Sequence, residues 1–296
     1  MFAAAIEILR LQQWYKNLIV FVALIFSAHL FLETSLLNGF LAFISLCLLS
    51  SSNYIINDIL DIDKDLFHDK KRLRPLPSGR LSIPVALIEF IIVFALALLI
   101  SRYISDNFFI LSILLFILSQ AYNFYFKEIP FADVAVLSTN FMLRALLGAV
   151  AISVFVSPWL VLGSYLLALF LAISKRKSDL LILGEKAILY KKVFLVYTIE
   201  ILDKLSLLVL GLLLICYCLY SFLGSPIPFT YIVPTIPIIF FLLFRYYYLG
   251  MNSPDLVRNP ESIFSDKQLL GGFILFILIL FVGLYGMEVF QWLSLS

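Results

Sequence analysis

Apolar residues run through this chain in blocks of about twenty, and polar residues gather in the short gaps between the blocks. A helix needs about twenty apolar residues to cross the ~30 Å hydrocarbon core of a bilayer, with each backbone amide satisfied inside the segment. The pattern therefore predicts an all-α integral membrane protein of nine transmembrane helices, at residues 17–32, 36–57, 82–101, 108–125, 132–153, 158–174, 194–222, 227–248 and 269–290. These blocks leave no room for a second domain, so residues 1–296 are expected to form one transmembrane domain. Arg10 and Lys16 ahead of the first run give a superficial likeness to a signal peptide. Further runs of the same kind follow, and Trp14-Tyr15-Lys16-Asn17 suits an interfacial anchor better.

Two of the polar connections, 58–81 and 175–193, are longer than a turn between antiparallel helices requires, and each begins with functional residue types at the end of a span. They lie four spans apart, which is compatible with a weak internal duplication, although the residues do not repeat in detail. Composition agrees with the pattern: 63% of the residues are hydrophobic and 14% charged, with a mean hydropathy of +1.06. That excludes an ordinary soluble domain and offers nothing for a nucleic acid partner. Cys47, Cys216 and Cys218 all fall in apolar spans and read as small buried hydrophobes.

The net charge of +2 says little, but its distribution says more. Lys and Arg crowd alternate connections: before the first span, in 64–80, at Lys127, in 175–192, and at Arg245, Arg258 and Lys267. The opposite connections carry Arg102 and little else. Because short cationic loops stay cytoplasmic, the N-terminus and the charged loops are expected in the cytoplasm and the C-terminus outside.

The candidate chemistry sits at the end of the second span. At about 100° per residue, Asp61 and Asp65 fall within about 60° of Asp58 on one helical face, while Asp63 points elsewhere. Three such carboxylates repel one another unless a hard cation lies among them, and Mg²⁺ is usually held by one or two carboxylates together with substrate phosphate oxygens. The second long connection opens with Lys175, Arg176 and Asp179 on the first turn beyond an apolar span, within reach of the bundle. Lys186, Lys191 and Lys192 read as solvated loop cations. Arg144 lies about ten residues inside the fifth span, where an uncompensated cation costs at least about 2.5 kcal/mol, so it is expected to face a cavity or a partner. Glu200 and Lys204 stand four positions apart and are expected to pair with each other, and Glu89 to be structural or near the interface.

Asn57-Asp58-x-x-Asp61-x-x-x-Asp65, at the cytoplasmic end of a span in a nine-span chain, resembles the signature of the UbiA superfamily of intramembrane prenyltransferases. The resemblance implies a helical bundle whose central cavity opens to the cytoplasmic face and the lipid. It also implies that Asn57, Asp58, Asp61 and Asp65 hold Mg²⁺ on a substrate diphosphate. Further motifs resemble one branch, the decaprenyl-phosphate phosphoribosyltransferases: Arg10-x-x-Gln13-Trp14-x-Lys16-Asn17, His68-x-x-Lys71-x-x-Arg74-Pro75 with Gly79, Tyr122-x-x-x-Phe126-Lys127 with Asp133, Leu143-Arg144-Ala145 with Gly148, Lys175-Arg176-x-x-Asp179, Arg245-Tyr246 and Pro260-Glu261. Phe126 stands where that branch usually has leucine, and Asp179 where it usually has glutamate, which shortens its reach.

The branch implies that phosphoribosyl diphosphate and a polyprenyl phosphate are the substrates, with lipid around the protein. Lys71 and Arg74 are then candidates for the donor's 5-phosphate, and Lys127, Arg144, Lys175 and Arg176 for the acceptor or leaving group. Tyr122 is placed to bond a phosphate or ribose or to sit in an aromatic belt, and His68 either in the site or in a solvated loop. The residues themselves point the same way, because one rich acidic cluster and one basic helix end suit one metal-bound diphosphate and one directly bound anion. The alternative is a UbiA-type enzyme that moves a prenyl group from a polyprenyl diphosphate to an aromatic or lipid acceptor. A transporter or flippase fits less well, since the charges crowd one face rather than the bilayer midplane.

Overall fold

The computed structural model describes residues 2–66, 71–259, 262 and 265–295; His68, Pro260 and Glu261 lie outside that set. In chain order the helices are α1 (Phe2–Ile8), a 3₁₀ segment (Leu11–Val20), α2 (Phe21–Phe26), α3 (Glu33–Leu60), α4 (Ile62–Leu66), α5 (Ile83–Ile104), α6 (Asp106–Phe124) and α7 (Ala132–Ala151). After these come α8 (Pro158–Leu183), α9 (Ala187–Tyr190), α10 (Ile199–Leu219), α11 (Phe229–Ile232), α12 (Thr235–Asn252), α13 (Pro254–Arg258) and α14 (Lys267–Leu295). No strand occurs among the described residues. Eight helical stretches there are long and apolar enough to cross a bilayer.

The first of the nine expected spans is wound differently from the rest. Residues 17–32 do not form one long helix: the chain enters from Arg10 in the left-handed region, winds as 3₁₀ helix to Val20, adds the six residues of α2, and turns again at Ala28, where φ is 59°. Hydropathy could not reveal this, because apolar length says nothing about winding. A 3₁₀ helix rises ~2.0 Å per residue against ~1.5 Å for an α-helix, so Leu11–Phe26 still extends for roughly 29 Å. A second difference concerns the expected 175–193 connection. Helix α8 runs on to Leu183, so Lys175, Arg176 and Asp179 are helical residues and the true connection begins at Gly184.

The chain separates into two compact units, residues 1–124 with 143–156, and residues 125–142 with 157–296. In the first, α3 packs chiefly on α5 and also on α6 and the 3₁₀ segment. Small residues make this possible. Ser35, Gly39, Ala42, Ser45, Ser50, Ser51 and Ser52 are buried along α3, letting neighbouring backbones approach. A polar ladder crosses the interface: Ser45 Oγ donates to Ala97 O at 3.0 Å, and Ser101 Oγ lies 2.8 Å from Ser45 Oγ and 3.1 Å from Ser112 Oγ. At Gly148 even a Cβ atom would stand 2.1 Å from the carbonyl oxygen of Val20, so only glycine admits the 3₁₀ segment there.

In the second unit α8 packs on α10, α12 and α13, and α12 on α14. Its core gathers Val134, Phe170, Ile173, Leu202 and Leu210 together with Ala187, Val193, Phe194 and Tyr197 from the α8–α10 connection. Helix starts follow local chemistry. Ser157 caps α8 ahead of Pro158 by accepting from Trp159 N–H at 3.3 Å, and Thr198 caps α10 by accepting from Ile201 N–H at 3.2 Å.

Candidate active site

In the first unit the acidic motif lies where α3 ends. Asp58 is on its last turn, Asp61 closes the helix with its N–H on the carbonyl of Asn57, and Asp65 N–H bonds Asp61 O at 2.8 Å one turn later. Asp58 and Asp65 are buried, Asn57 and Asp61 half-buried, and Asp63 exposed, as the helical offsets require. Arg74 spans the two buried carboxylates, with Nη1 at 3.2 Å from Asp58 Oδ1 and 2.6 Å from Asp65 Oδ2. Lys71 Nζ reaches Asp65 Oδ1 at 3.3 Å. Arg10 closes the network by pairing with Asp58 Oδ1 while its guanidinium lies 4.9 Å over the Tyr54 ring.

Asp58 and Asp65, two of the three carboxylates expected to hold a metal ion, are thus joined through this network of cations, with Asp61 between them along the chain. Among the described residues no group of three or more His, Cys, Asp or Glu side chains is arranged to hold a metal ion. The reason is electrostatic: a buried carboxylate demands a nearby opposite charge, and here Arg10, Arg74 and Lys71 supply it. The donor set itself, hard carboxylate oxygens with an adjacent amide, does fit a divalent cation such as Mg²⁺.

A second polar group runs deeper in the same unit. Asn17 is buried, with Nδ2 at 3.3 Å from Ser50 Oγ, and its Oδ1 accepts from Arg144 Nε at 3.0 Å. Arg144 thus finds the partner that its depth required. Trp14 Nε1 donates to Ser51 Oγ at 3.0 Å and Gln120 Nε2 to Asn53 Oδ1 at 2.6 Å. Lys16 is half-buried with its ammonium 5.9 Å from the Tyr15 ring centre, and Tyr122 is half-buried on the last turns of α6.

In the second unit the end of α8 carries a different network. Arg176 is buried, with Nε 2.8 Å from Asp133 Oδ2 and Nη1 3.9 Å from Asp179 Oδ2. Arg258 Nε holds Asp179 Oδ1 at 3.0 Å. Tyr197 donates its hydroxyl to Asp133 and accepts from Phe131 N–H at 2.7 Å; burial and that carboxylate push its phenol above the usual range. Lys191 is half-buried beside Arg176, Lys175, Asp133 and Asp179, and burial, reinforced by the two cations, pushes its ammonium down to about 7. Lys175 is half-buried on α8 and Lys127 half-buried in the α6–α7 connection. Lys177, one position from Arg176, pairs with Asp203 on α10 and lies 4.8 Å over the Tyr247 ring. Arg245 pairs with Asp266 at 2.6 Å, and the Glu200–Lys204 pair forms at 2.6 Å between exposed side chains.

Sequence reasoning therefore found the carboxylates but missed several of their partners. Arg10 stands 48 positions from Asp58, and only the left-handed turn at Arg10 brings it back. Asp133 is named by the motif resemblance, but its partner Tyr197 stands 64 positions away and carries no local signal. Lys191 was read as a solvated cation and is half-buried in the Arg176 network, whereas Lys186 and Lys192 are exposed, the latter pairing with Glu128 at 2.9 Å.

Among the described residues the chain is all-helical with eight membrane-length stretches, and the Asn57-Asp58 motif ends α3, the most deeply buried of them. Residues 17–259 match the family described as "UbiA prenyltransferase family", and the chain belongs to that family. It is accordingly a multi-pass membrane protein of the UbiA family. Among its relatives is a "Decaprenyl-phosphate phosphoribosyltransferase" of Corynebacterium glutamicum, 31% identical over 181 residues, which are 60% of this chain and 54% of that protein. The chain thus spans about half the length of that relative. A protein of the same description from Mycolicibacterium smegmatis is 29% identical over 221 residues, 73% of this chain and 70% of that one. The fold resembles a UbiA homolog from Archaeoglobus fulgidus bound to GPP and Mg²⁺, with a TM-score of 0.73, 23% identity, and coverage of 92% of this chain and 99% of that one.

Proposed function

We propose that this protein transfers the 5-phosphoribosyl group of phosphoribosyl diphosphate to a polyprenyl phosphate in an Mg²⁺-dependent reaction on the cytoplasmic side of the membrane. The observation that carries this reading is the contrast between the two polar networks. At the end of α3, the buried Asp58 and Asp65 are bridged by Arg74, with Asp61 between them along the chain, a donor set suited to a metal-bound diphosphate. At the end of α8, both carboxylates are committed to arginines, Asp133 to Arg176 and Asp179 to Arg176 and Arg258, among further cations. That second network suits an anion held directly by cations. The relatives described as decaprenyl-phosphate phosphoribosyltransferases support the same branch.

In this reading Asp58, Asp61 and Asp65 are the residues that would hold Mg²⁺, which when bound supplies Lewis-acid stabilisation of the departing diphosphate. Asn57 orients that diphosphate. Arg74 and Lys71 meet the donor's 5-phosphate, and Arg10 adds positive charge beside the leaving group. The C1–O bond to diphosphate breaks with its electron pair leaving on diphosphate, while an oxygen of the acceptor's phosphate monoester forms the new bond to C1. That oxygen is already anionic at neutral pH, so no side chain has to remove a proton. Lys175 and Arg176, with Lys127, position the acceptor.

Purified protein, Mg²⁺, radiolabelled phosphoribosyl diphosphate and a polyprenyl phosphate are expected to yield labelled lipid. Transfer only from prenyl diphosphates to an aromatic or lipid acceptor would replace this reading with prenyl transfer.

A further inference from the structure

The connection between α8 and α10 is built as a strap rather than a solvated loop. Ala187, Val193, Phe194 and Tyr197 are buried in the core of the second unit, so the strap is fastened on both sides of Lys191. Lys192 ties its outer edge to Glu128, and Tyr197 ties its end to Asp133 and Phe131. Between these anchors Lys191 has extended backbone (φ −153°, ψ 131°), with its N–H on Ala187 O at 3.1 Å. The anchors leave the strap little freedom to carry Lys191 away from Arg176.

The charges around its ammonium explain why this placement is not ordinary pairing. Facing Lys191 are Lys175, Arg176 and Asp179 of α8 and Asp133 of α7; Tyr197 of the strap and Arg258 of α13 bond those two carboxylates. Asp133 is taken by Arg176, and Asp179 by Arg176 and Arg258. Four cations therefore share two carboxylates, and Lys191 is the one held half-buried by the strap against like charge. A lysine serving only structure would sit on a carboxylate or extend its ammonium into water.

We propose that Lys191 grips the acceptor's phosphate monoester and takes up a proton from solvent as that phosphate binds. This rests on the acceptor assignment above and deepens it. Burial and the neighbouring cations hold the amine near pH 7, so at about pH 8 it is mostly neutral before binding. A dianionic phosphate reverses the local field and recharges Nζ; the phosphodiester product carries one charge fewer, holds the ammonium less firmly, and lets the proton return as product leaves. Phosphate monoesters have a second pKa of about 6, so the ligand itself arrives unprotonated at that pH and the proton goes to the amine.

The test is calorimetric titration of the detergent-solubilised full chain with farnesyl phosphate, a short polyprenyl monophosphate, at about pH 8 in buffers of different ionisation enthalpy. The expected result is uptake approaching one proton per bound ligand. Lys191→Met is expected to weaken farnesyl phosphate binding about tenfold or more, the range of a lost charge-assisted hydrogen bond, and to leave phosphoribosyl diphosphate binding unchanged. Lys191→Arg is expected to keep the affinity and abolish the proton uptake. Wild-type binding without proton uptake, or undiminished binding by Lys191→Met, would overturn the role of Lys191 while leaving the acceptor assignment intact. The proton measurement needs no variant and so decides the matter even if Lys191→Met fails to fold. Absence of any farnesyl phosphate binding by wild-type protein that still binds phosphoribosyl diphosphate would overturn the acceptor assignment and this role together.

Discussion

At Asp58 two demands compete for one carboxylate. Folding requires a counter-charge beside a buried anion, which Arg10 and Arg74 provide; the proposed chemistry requires the same oxygens for a cation. If both demands are met in turn, the arginines compete with metal, and removing one should favour metal. Arg74→Met is expected to tighten Mn²⁺ binding in the absence of substrate by several-fold to tenfold, read by electron paramagnetic resonance, and at the same time to lower transfer by at least tenfold. Unchanged or weaker Mn²⁺ binding would show that Arg74 does not compete for these oxygens. Asp58→Asn should cut transfer a hundredfold or more in a radiolabel assay, since stabilising the departing charge is a large part of such a barrier. Retained activity would remove Asp58 from the site. The spacing of these carboxylates was legible in the sequence because helical offsets are local. Arg10 and Tyr197 were not, because each reaches its carboxylate across a fold that no local pattern encodes.

Among the elements, long helices were the easy part to anticipate, since membrane length imposes a minimum apolar run and the end of each run is marked by charge. The entry segment escaped because its 3₁₀ winding depends on contacts, not on hydropathy. One contact is steric: the backbone of Val20 lies where any side chain at residue 148 would begin. Gly148→Val is therefore expected to displace the 3₁₀ segment and destabilise the protein by about 1–3 kcal/mol, the usual cost of overpacking, seen as a lower midpoint in thermal denaturation in detergent. The serine ladder offers a contrast at similar depth. Ser101→Val removes a bond to Ala97 O within α5 and two bonds between helices, to Ser45 and Ser112; at an average of about 0.6 kcal/mol those two are worth about 1.2 kcal/mol, so its loss should fall towards the low end of the Gly148→Val range. An equal or greater loss for Ser101→Val would mean that polar bridging, rather than close backbone approach, dominates the packing around α3.

For the whole molecule, the open quantity is the parity of membrane crossings. Eight membrane-length helices alone would leave both ends of the chain on one side; a crossing by Leu11–Phe26 as well would separate them. Its length suffices for a crossing, because tighter winding lets sixteen residues extend for roughly 29 Å, close to a bilayer's hydrocarbon thickness. Cations lie in 61–82, 125–131, 184–198 and 253–266 and avoid 152–157 and 225–234, so the first group is expected in the cytoplasm. Both inferences are read by comparing Ala3, exposed on α1, with Leu32, exposed between α2 and α3. In a background with Cys47, Cys216 and Cys218 replaced, an impermeant maleimide applied to inside-out vesicles is expected to label Lys186→Cys and Ala3→Cys, while Ser225→Cys and Leu32→Cys label only from the opposite face. Labelling of Ser225→Cys from the cytoplasmic face would reverse the orientation. Labelling of Ala3→Cys only from the face that labels Leu32→Cys would mean that the 3₁₀ segment dips into the membrane and returns, bringing the chain's first residues and its α2–α3 turn to the same surface.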